Sequence, residues 1–485
     1  MCGIVAVWRP GGVDAAEIEG ALRPMASRGP DAKAVRILAE GRLGLGHLRL
    51  SILDLSSSAN QPMSDAAGGA SIVYNGEIVN FREVRAGMGA RNWRTDGDTE
   101  VLLEAFLERG PGALHDCVGM FAFALHDARE GALHLARDRF GIKPLYWTRL
   151  PDGGFAAASE IPPLLALRGG RAQADEDTIL TYLESGVYDA SEKTFFEGVS
   201  ALPPGACARL DLATGGMTIT RWYDFCAAVA AQDAPRDPRD WRPEIAYRVE
   251  RAVKDHLIAD VPVGLNVSGG VDSSLLCALA GEELSDLHVF TQDFEPPYSE
   301  RAFVEQAVGR ATLHVSTLRS EDIREALART VARQAEPFGG VSVIGYDALY
   351  RAADSAGVTV LLDGNGVDEV FLGYGKYRAL AQGRLSADAA VSIDGTRSTL
   401  PEAIAPGLRR RAAQFSVPTY AEAFVEPVRA MAARDLLHAK IPRGLRFNDR
   451  MSMLRSKELR VPFLDHRLVE RVFRVPVDLL LRDDV

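Results

Sequence analysis

The sequence predicts an α+β sandwich of stacked antiparallel sheets between helices over residues 1–210, then an α/β domain with a parallel sheet and a helical C-terminal part over residues 244–485. Three observations predict this. Up to about residue 205 the chain reads as short β-type runs separated by Gly, Asn and Asp. Residues 211–243 read as a linker, and the stretch 227–243 is rich in Ala, Asp, Arg and Pro. After it, strand-like runs alternate with helical patterns, the grammar of a parallel sheet.

The front strands are expected at residues 3–8, 43–53, 71–75, 120–127, 133–138 and 145–149. Apolar residues at helical spacing predict helices near 15–26 and 99–108. In the back half an amphipathic helix at 244–259 precedes a strand at 263–267, and a helix follows from Ser273. Further strands are expected at 287–294 and 358–363, with ligands at the carboxyl ends of the strands. Beyond Gly373 the pattern is mainly helical. No internal repeat or low-complexity tract is evident.

With 485 residues, 47% hydrophobic and 25% charged, the chain has the composition of a soluble globular protein. A formal net charge of -11 argues against a nucleic-acid partner, whose phosphates call for a basic surface. Five cysteines with no CxxC pair argue for reduced thiols rather than a disulfide framework or a zinc site. No apolar run approaches the roughly 20 residues that span a bilayer, and the N-terminus is not patterned as a secretory signal. A cytoplasmic protein with no membrane partner is expected.

Cys2 carries the first chemistry. Once an initiator methionine is removed, Cys2 bears a thiol and a free α-amine together. A terminal amine titrates near roughly 8, so it can take the thiol proton near neutral pH. Arg49 is suited to bidentate grip of a carboxylate. Asn75-Gly76-Glu77, expected in a turn at the end of a short strand, offers an amide, an unobstructed backbone N–H and a carboxylate. Asp98, expected in a loop before a helix, adds a second carboxylate. A thiol nucleophile, an oxyanion hole and a clamp for an amino acid's charged groups are the parts that glutamine hydrolysis requires.

In this order, these residues resemble the class II (N-terminal-nucleophile) glutamine amidotransferase domain. Supporting matches are Arg28-Gly-Pro-Asp31, Gln61-Pro62, Gly119–Phe123, the segment from Ala136 to Tyr146, and Pro203-Pro-Gly205. Ser27 departs from the histidine usual before Arg-Gly-Pro-Asp. The resemblance implies that Cys2 is the nucleophile and that Asn75 with the Gly76 amide forms the oxyanion hole. It implies that Arg49, Ile52, Asn75, Glu77 and Asp98 hold the glutamine.

The second chemistry is Ser268-Gly-Gly-Val-Asp-Ser-Ser274, between a strand and a helix. Two glycines let the backbone approach phosphate, and the N–H groups of a helix start supply positive potential. Ser268, Ser273 and Ser274 can add hydroxyl donors, and Asp272 can hold Mg²⁺ on the nucleotide. Asp363-Gly-Asn-Gly-Val-Asp-Glu369 ends another strand, and Asp368 is the natural second Mg²⁺ ligand. The first loop looks like the PP-loop of enzymes that split ATP to AMP and pyrophosphate. With Asp260-Val-Pro-Val-Gly264 and the stretch from Arg450 through Arg460-Val-Pro-Phe-Leu-Asp465, these blocks resemble the synthetase half of the asparagine synthetase family.

That resemblance implies that Asn266, Ser268, Gly269, Gly270, Asp272, Ser273, Ser274, Gln292, Asp363 and Gly364 bind ATP and its pyrophosphate. It implies a carbon–nitrogen ligase using glutamine, ATP with Mg²⁺ and a carboxylic acid, with aspartate as the default acceptor and a homodimer carried as an expectation. Ammonia would pass through the interior to an acyl-adenylate. Two departures stand out. Asn365 occupies the adenylation position where the family usually has glutamate, which points to a sugar acid or secondary-metabolite carboxylate as the alternative acceptor. The family's helical tail, with a phosphate-contacting lysine, is not seen before Val485, and Lys376 and Lys457 are the substitutes considered. A glutamine- or nucleotide-sensing relative without catalysis is the reading from another class.

Overall fold

The computed structural model describes residues 1–189, 191–235, 237–387, 402, 404–412 and 418–481. The last four residues of the chain lie outside the described residues. The front half contains twelve described strands: β1 (Gly3–Trp8), β2 (Ala32–Leu38), β3 (Leu43–Arg49), β4 (Met63–Ser64), β5 (Ala70–Ile78), β6 (Gly119–Asp127), β7 (Ala132–Arg137), β8 (Tyr146–Arg149), β9 (Phe155–Ala158), β10 (Val199–Ala201), β11 (Ala206–Asp211) and β12 (Met217–Arg221). They form two sheets, ordered β10-β8-β9-β1-β3-β2 and β12-β11-β7-β6-β5-β4.

Strand alternation explains the layers. Ile4, Ala6 and Trp8 of β1 face inward, packing with Val73, Ala122, Ala124, Leu133 and Leu135 of the second sheet. Val5 and Val7 face outward under the Ala15–Leu22 and Ile161–Arg168 helices. On the outer side of the second sheet, Tyr74, Phe121 and Phe123 pack with the Asp98–Arg109 helix. The expected sandwich between helices is therefore present. The segment read as a linker is more ordered than its composition implies. It holds β12, the Phe225–Ala230 helix and the start of the Trp241–His256 helix. Its first part packs, with Phe225 edge-on to Phe473 at 4.9 Å, while the Pro- and Asp-rich residues 231–235 and 237–240 stay exposed or half-buried, as a loop composition implies.

In the back half, β13 (Val263–Asn266), β14 (His288–Phe294), β15 (Thr312–Leu318), β16 (Val360–Leu362) and β17 (Glu458–Arg460) form a sheet ordered β15-β14-β13-β16-β17. All its pairings are parallel. β15 and β17 were not legible beforehand, since β15 carries His, Ser and Thr at an edge and β17 has only three residues. The order reverses beside β13, so the crevice for a ligand opens past the ends of β13 and β16. The 273-onward helix expected there begins two residues earlier, as Val271–Glu283. Among the described residues, no helix is long and apolar enough to cross a membrane.

Candidate active site

Cys2 directly precedes β1, and the register Gly3↔Leu48 sets it beside the end of β3, which carries Arg49. Asn75, Gly76 and Glu77 do not form a turn. They lie inside β5, whose two-residue period sends Asn75 and Glu77 to the same face. The Cys2 N–H donates to Asn75 Oδ1 at 2.9 Å, while Asn75 Nδ2 is buried with no protein partner. A buried donor without an acceptor is costly, and a ligand oxygen would relieve it. Glu77 Oε1 is a matching buried acceptor without a donor.

Asp98 is the first residue of a helix rather than part of a loop, and its Oδ2 accepts from the Tyr74 hydroxyl at 2.7 Å and the Ile78 N–H at 2.9 Å. Arg49 Nη1 donates to Ser56 O at 2.7 Å and to Asn60 Oδ1 at 2.8 Å, and its Nη2 to the Leu53 and Asp54 carbonyls. It thus shapes the 53–60 loop that closes the site. Cys2, Arg49, Ile52, Gly76, Glu77 and Asp98 line one cavity of about 40 Å³, together with Met1.

Met1 is buried, and its ammonium lies 3.0 Å from Glu458 Oε2. With Met1 attached, the Cys2 nitrogen is an amide and no base accompanies the sulfur. Burial pushes the Cys2 thiol up, opposed by the N-terminal charge. Burial also pushes the Glu77 carboxyl well above its usual range, with Arg460 opposing.

Glu458 and Arg460 were not among the residues expected at this site. Both lie on β17 of the back half, two residues apart and so on one face, in a strand too short for its sequence to mark them. Arg460 Nη2 reaches Glu77 Oε2 at 3.1 Å and its Nε donates to Glu458 Oε1 at 2.7 Å. Burial alone would raise Glu458, yet the Met1 ammonium, Arg460 and Lys143 hold it down at about 2. The backbone O of Arg460 in turn accepts from the Asp363 N–H at 2.9 Å, in the second crevice.

In that crevice Asn266 ends β13 and donates to Asp363 Oδ2 at 3.1 Å. Its Oδ1, and Gln292 Nε2 on β14, are buried without partners. The loop at Ser268, Gly269 and Gly270 is open to solvent or partly so, as a phosphate cradle must be. Ser273 is turned inward, 5% exposed, and its hydroxyl donates to the Ser268 carbonyl. Ser274 donates to Gly270 O at 2.8 Å. These two hydroxyls hold the loop's shape, as do the Ser268 N–H to Ser273 Oγ and the Ser274 N–H to Gly270 O.

Gly364 lies against Asp272, 3.9 Å from a Cβ placed at Gly364 to the Asp272 Cβ. Asp272 is raised by burial and by the charge of Asp368. Asn365 donates its backbone N–H to Asp363 Oδ1 at 3.0 Å, and its side-chain Nδ2 is buried without a partner. Neither lysine considered as a tail substitute reaches this loop as its principal contact. Lys376 is ion-paired with Asp435 at 2.5 Å and Lys457 with Asp354 at 2.8 Å.

Comparisons with known proteins agree with this two-site layout. Residues 1–223 match the family model of the glutamine amidotransferase domain, and residues 244–485 match that of asparagine synthase. A Mycobacterium tuberculosis protein, provisionally named asparagine synthetase [glutamine-hydrolyzing], is 32% identical over 541 residues, covering 98% of this chain and 82% of that protein. "Asparagine synthetase [glutamine-hydrolyzing] 3" of Bacillus subtilis is 28% identical over 500 residues, covering 95% of this chain and 78% of its own length. "Amidase chry2" of Gibberella zeae is 29% identical over 382 residues, covering 75% of this chain and 56% of its own length.

Proposed function

Because the chain belongs to the glutamine-hydrolysing asparagine synthetase family, a group of carbon–nitrogen ligases, we propose that it forms an amide by joining two half-reactions. Glutamine, ATP, a carboxylic acid and water give glutamate, AMP, pyrophosphate and the amide. The observation that carries this reading is Arg460, whose side chain meets Glu77 in the Cys2 pocket and whose carbonyl holds Asp363 in the nucleotide crevice.

At the first site the Cys2 sulfur attacks the glutamine amide carbon after its own α-amine accepts the thiol proton. Asn75 Nδ2 and the Gly76 N–H stabilise the oxyanion. The cavity of about 40 Å³ holds a few waters rather than an amino acid. Loss of Met1 therefore frees the amine and opens the pocket together. Glu77 and Asp98 take the glutamine ammonium, and Arg49 takes its carboxylate by exchanging bonds it makes to the 53–60 loop.

At the second site a carboxylate oxygen of the acceptor attacks the α-phosphorus of ATP, and pyrophosphate leaves with the bonding electrons. Ammonia then displaces AMP. Asp272 and Asp368, close enough for one to raise the other, are hard oxygen donors that fit Mg²⁺. When bound, that ion neutralises phosphate charge. Among the described residues no set of three or more His, Cys, Asp or Glu could hold a metal ion, so Asp272 and Asp368 would hold Mg²⁺ together with the bound nucleotide.

Aspartate is the default acceptor. A different acid is the second reading, favoured by Asn365, whose unpaired amide stands where a charged glutamate is usual. ATP–pyrophosphate exchange over a panel of acids separates the two, and efficient asparagine formation as the main activity removes the second. Cys2→Ala should abolish glutamine-dependent turnover and spare ammonia-dependent turnover. Survival of both would defeat the nucleophile assignment. Light scattering tests the homodimer.

A further inference from the structure

We infer that Lys440 supplies the cation that meets the phosphate chain in the back-half crevice, an assignment that rests on the adenylating reading above. Departure of pyrophosphate concentrates negative charge on non-bridging oxygens. Two carboxylates and one divalent ion cancel each other, so they leave that charge unbalanced. Phosphoryl-transfer sites meet it with preorganised positive groups.

Lys440 stands at the first turn of the Ile441–Met453 helix, its N–H donating to Asp435 O at 2.9 Å. Its ammonium lies 3.6 Å from the centroid of the Tyr374 ring, a cation–π contact. The Tyr374 hydroxyl donates to Glu369 Oε1 at 3.0 Å, one residue from Asp368. Burial raises both Asp368 and Glu369, and the charge of Lys440 opposes that rise in each. One turn along the helix, a Cβ at Gly444 would sit 3.9 Å from Asn365 Oδ1, so the helix start borders the adenylation position as well. The ammonium thus stands beside the acidic loop, over the face of the Tyr374 ring. A lysine is a compact charge on a flexible stem, able to swing from that ring to a phosphate oxygen. It donates hydrogen bonds there and transfers no proton.

The test uses the full chain with Mg²⁺ and two probes: inorganic pyrophosphate binding by calorimetry, and ATP–pyrophosphate exchange with whichever acid the wild type accepts. Lys440→Met should lower exchange by roughly 100-fold and weaken pyrophosphate binding by about tenfold. Lys440→Arg should restore most of the binding. Glutamine hydrolysis should be unchanged in both, which checks folding. Wild-type exchange and binding in Lys440→Met would overturn the assignment while leaving the adenylating reading intact. A wild type that exchanges with no acid overturns the adenylating reading instead, and weaker pyrophosphate binding in Lys440→Met would still support the phosphate contact. A wild type that binds no pyrophosphate overturns the Lys440 assignment.

Discussion

Arg28 grips Asp449 through two nitrogens, Nη1 to Oδ2 at 2.7 Å and Nη2 to Oδ1 at 3.1 Å, with both side chains shut off from water. The same guanidinium donates from Nε to the Cys2 carbonyl at 3.0 Å and from Nη1 to Glu160 at 2.9 Å. Asp449 lies near the end of the Ile441–Met453 helix, whose start carries Lys440. One helix therefore runs from the acidic loop of the back half to the backbone of Cys2.

Asp449→Asn should be strongly destabilising, because it leaves the Arg28 charge in a dry site with one carboxylate instead of two. Breaking a buried pair costs about 3–5 kcal/mol. Urea denaturation should show that loss, and glutamine hydrolysis should fall as Cys2 loses its anchor. Unchanged stability would mean that Arg28 is balanced by Glu160 alone.

Gly76→Ala should abolish glutamine hydrolysis. A Cβ at Gly76 would lie 2.3 Å from Met120 O and 2.7 Å from Phe121 Cα, so β5 and β6 would have to part. Overpacking of this kind costs about 1–3 kcal/mol. Ammonia-dependent amide formation should persist in whatever protein folds. A variant with normal glutaminase activity would show that the two strands separate freely here.

Gly345→Ala should raise the KM for ATP several-fold and leave glutamine hydrolysis alone. Its Cβ would fall 1.6 Å from Gln292 Nε2, in the Val341–Ser355 helix that backs β14. The flexible Gln292 side chain can move at little cost, so the fold survives while its position at the nucleotide does not. Steady-state kinetics with ammonia as nitrogen donor gives the answer, and an unchanged KM would remove Gln292 from the proposed ATP contacts.

His47 gives the pH prediction. Burial holds its pKa down at about 3, with Nε2 donating to Tyr74 O at 3.2 Å. Unfolded, it titrates near roughly 6.5. Between those values the unfolded chain binds one proton more, so stability is fully present above pH 6.5 and falls by about 1.4 kcal/mol per pH unit below it. His47→Gln keeps a donor for Tyr74 O and removes that slope. The stability difference between wild type and variant, measured at pH 7.5, 6 and 5, should shrink accordingly. A constant difference would show that His47 ionises freely.

Much of the fold could be read in advance where patterns are local. Short β-type runs at β1, β6 and β7 marked the sandwich, and Ser268–Ser274 lies between a strand and a helix as its pattern implied. The misreadings share a cause. Asn75-Gly76-Glu77 has the composition of a turn, yet pairing with Ala122, Phe121 and Met120 of β6 makes it strand. Residues 217–230 fell within the segment read as a linker, yet they hold β12 and a helix whose Phe225 packs on Phe473. In each, tertiary contacts outweighed local preference.

The sequence by itself determined the family, because Cys2, Asn75-Gly76-Glu77 and the Ser268–Ser274 loop with their neighbours occur in a fixed local order. Only the tertiary structure decided how they join. β17 pairs in parallel with β16, which carries Glu458 and Arg460 under the Cys2 pocket and places the Arg460 carbonyl on Asp363. No local period encodes that meeting. It arises because charges this deeply buried persist only when an opposite charge, wherever it lies in the chain, is brought against them.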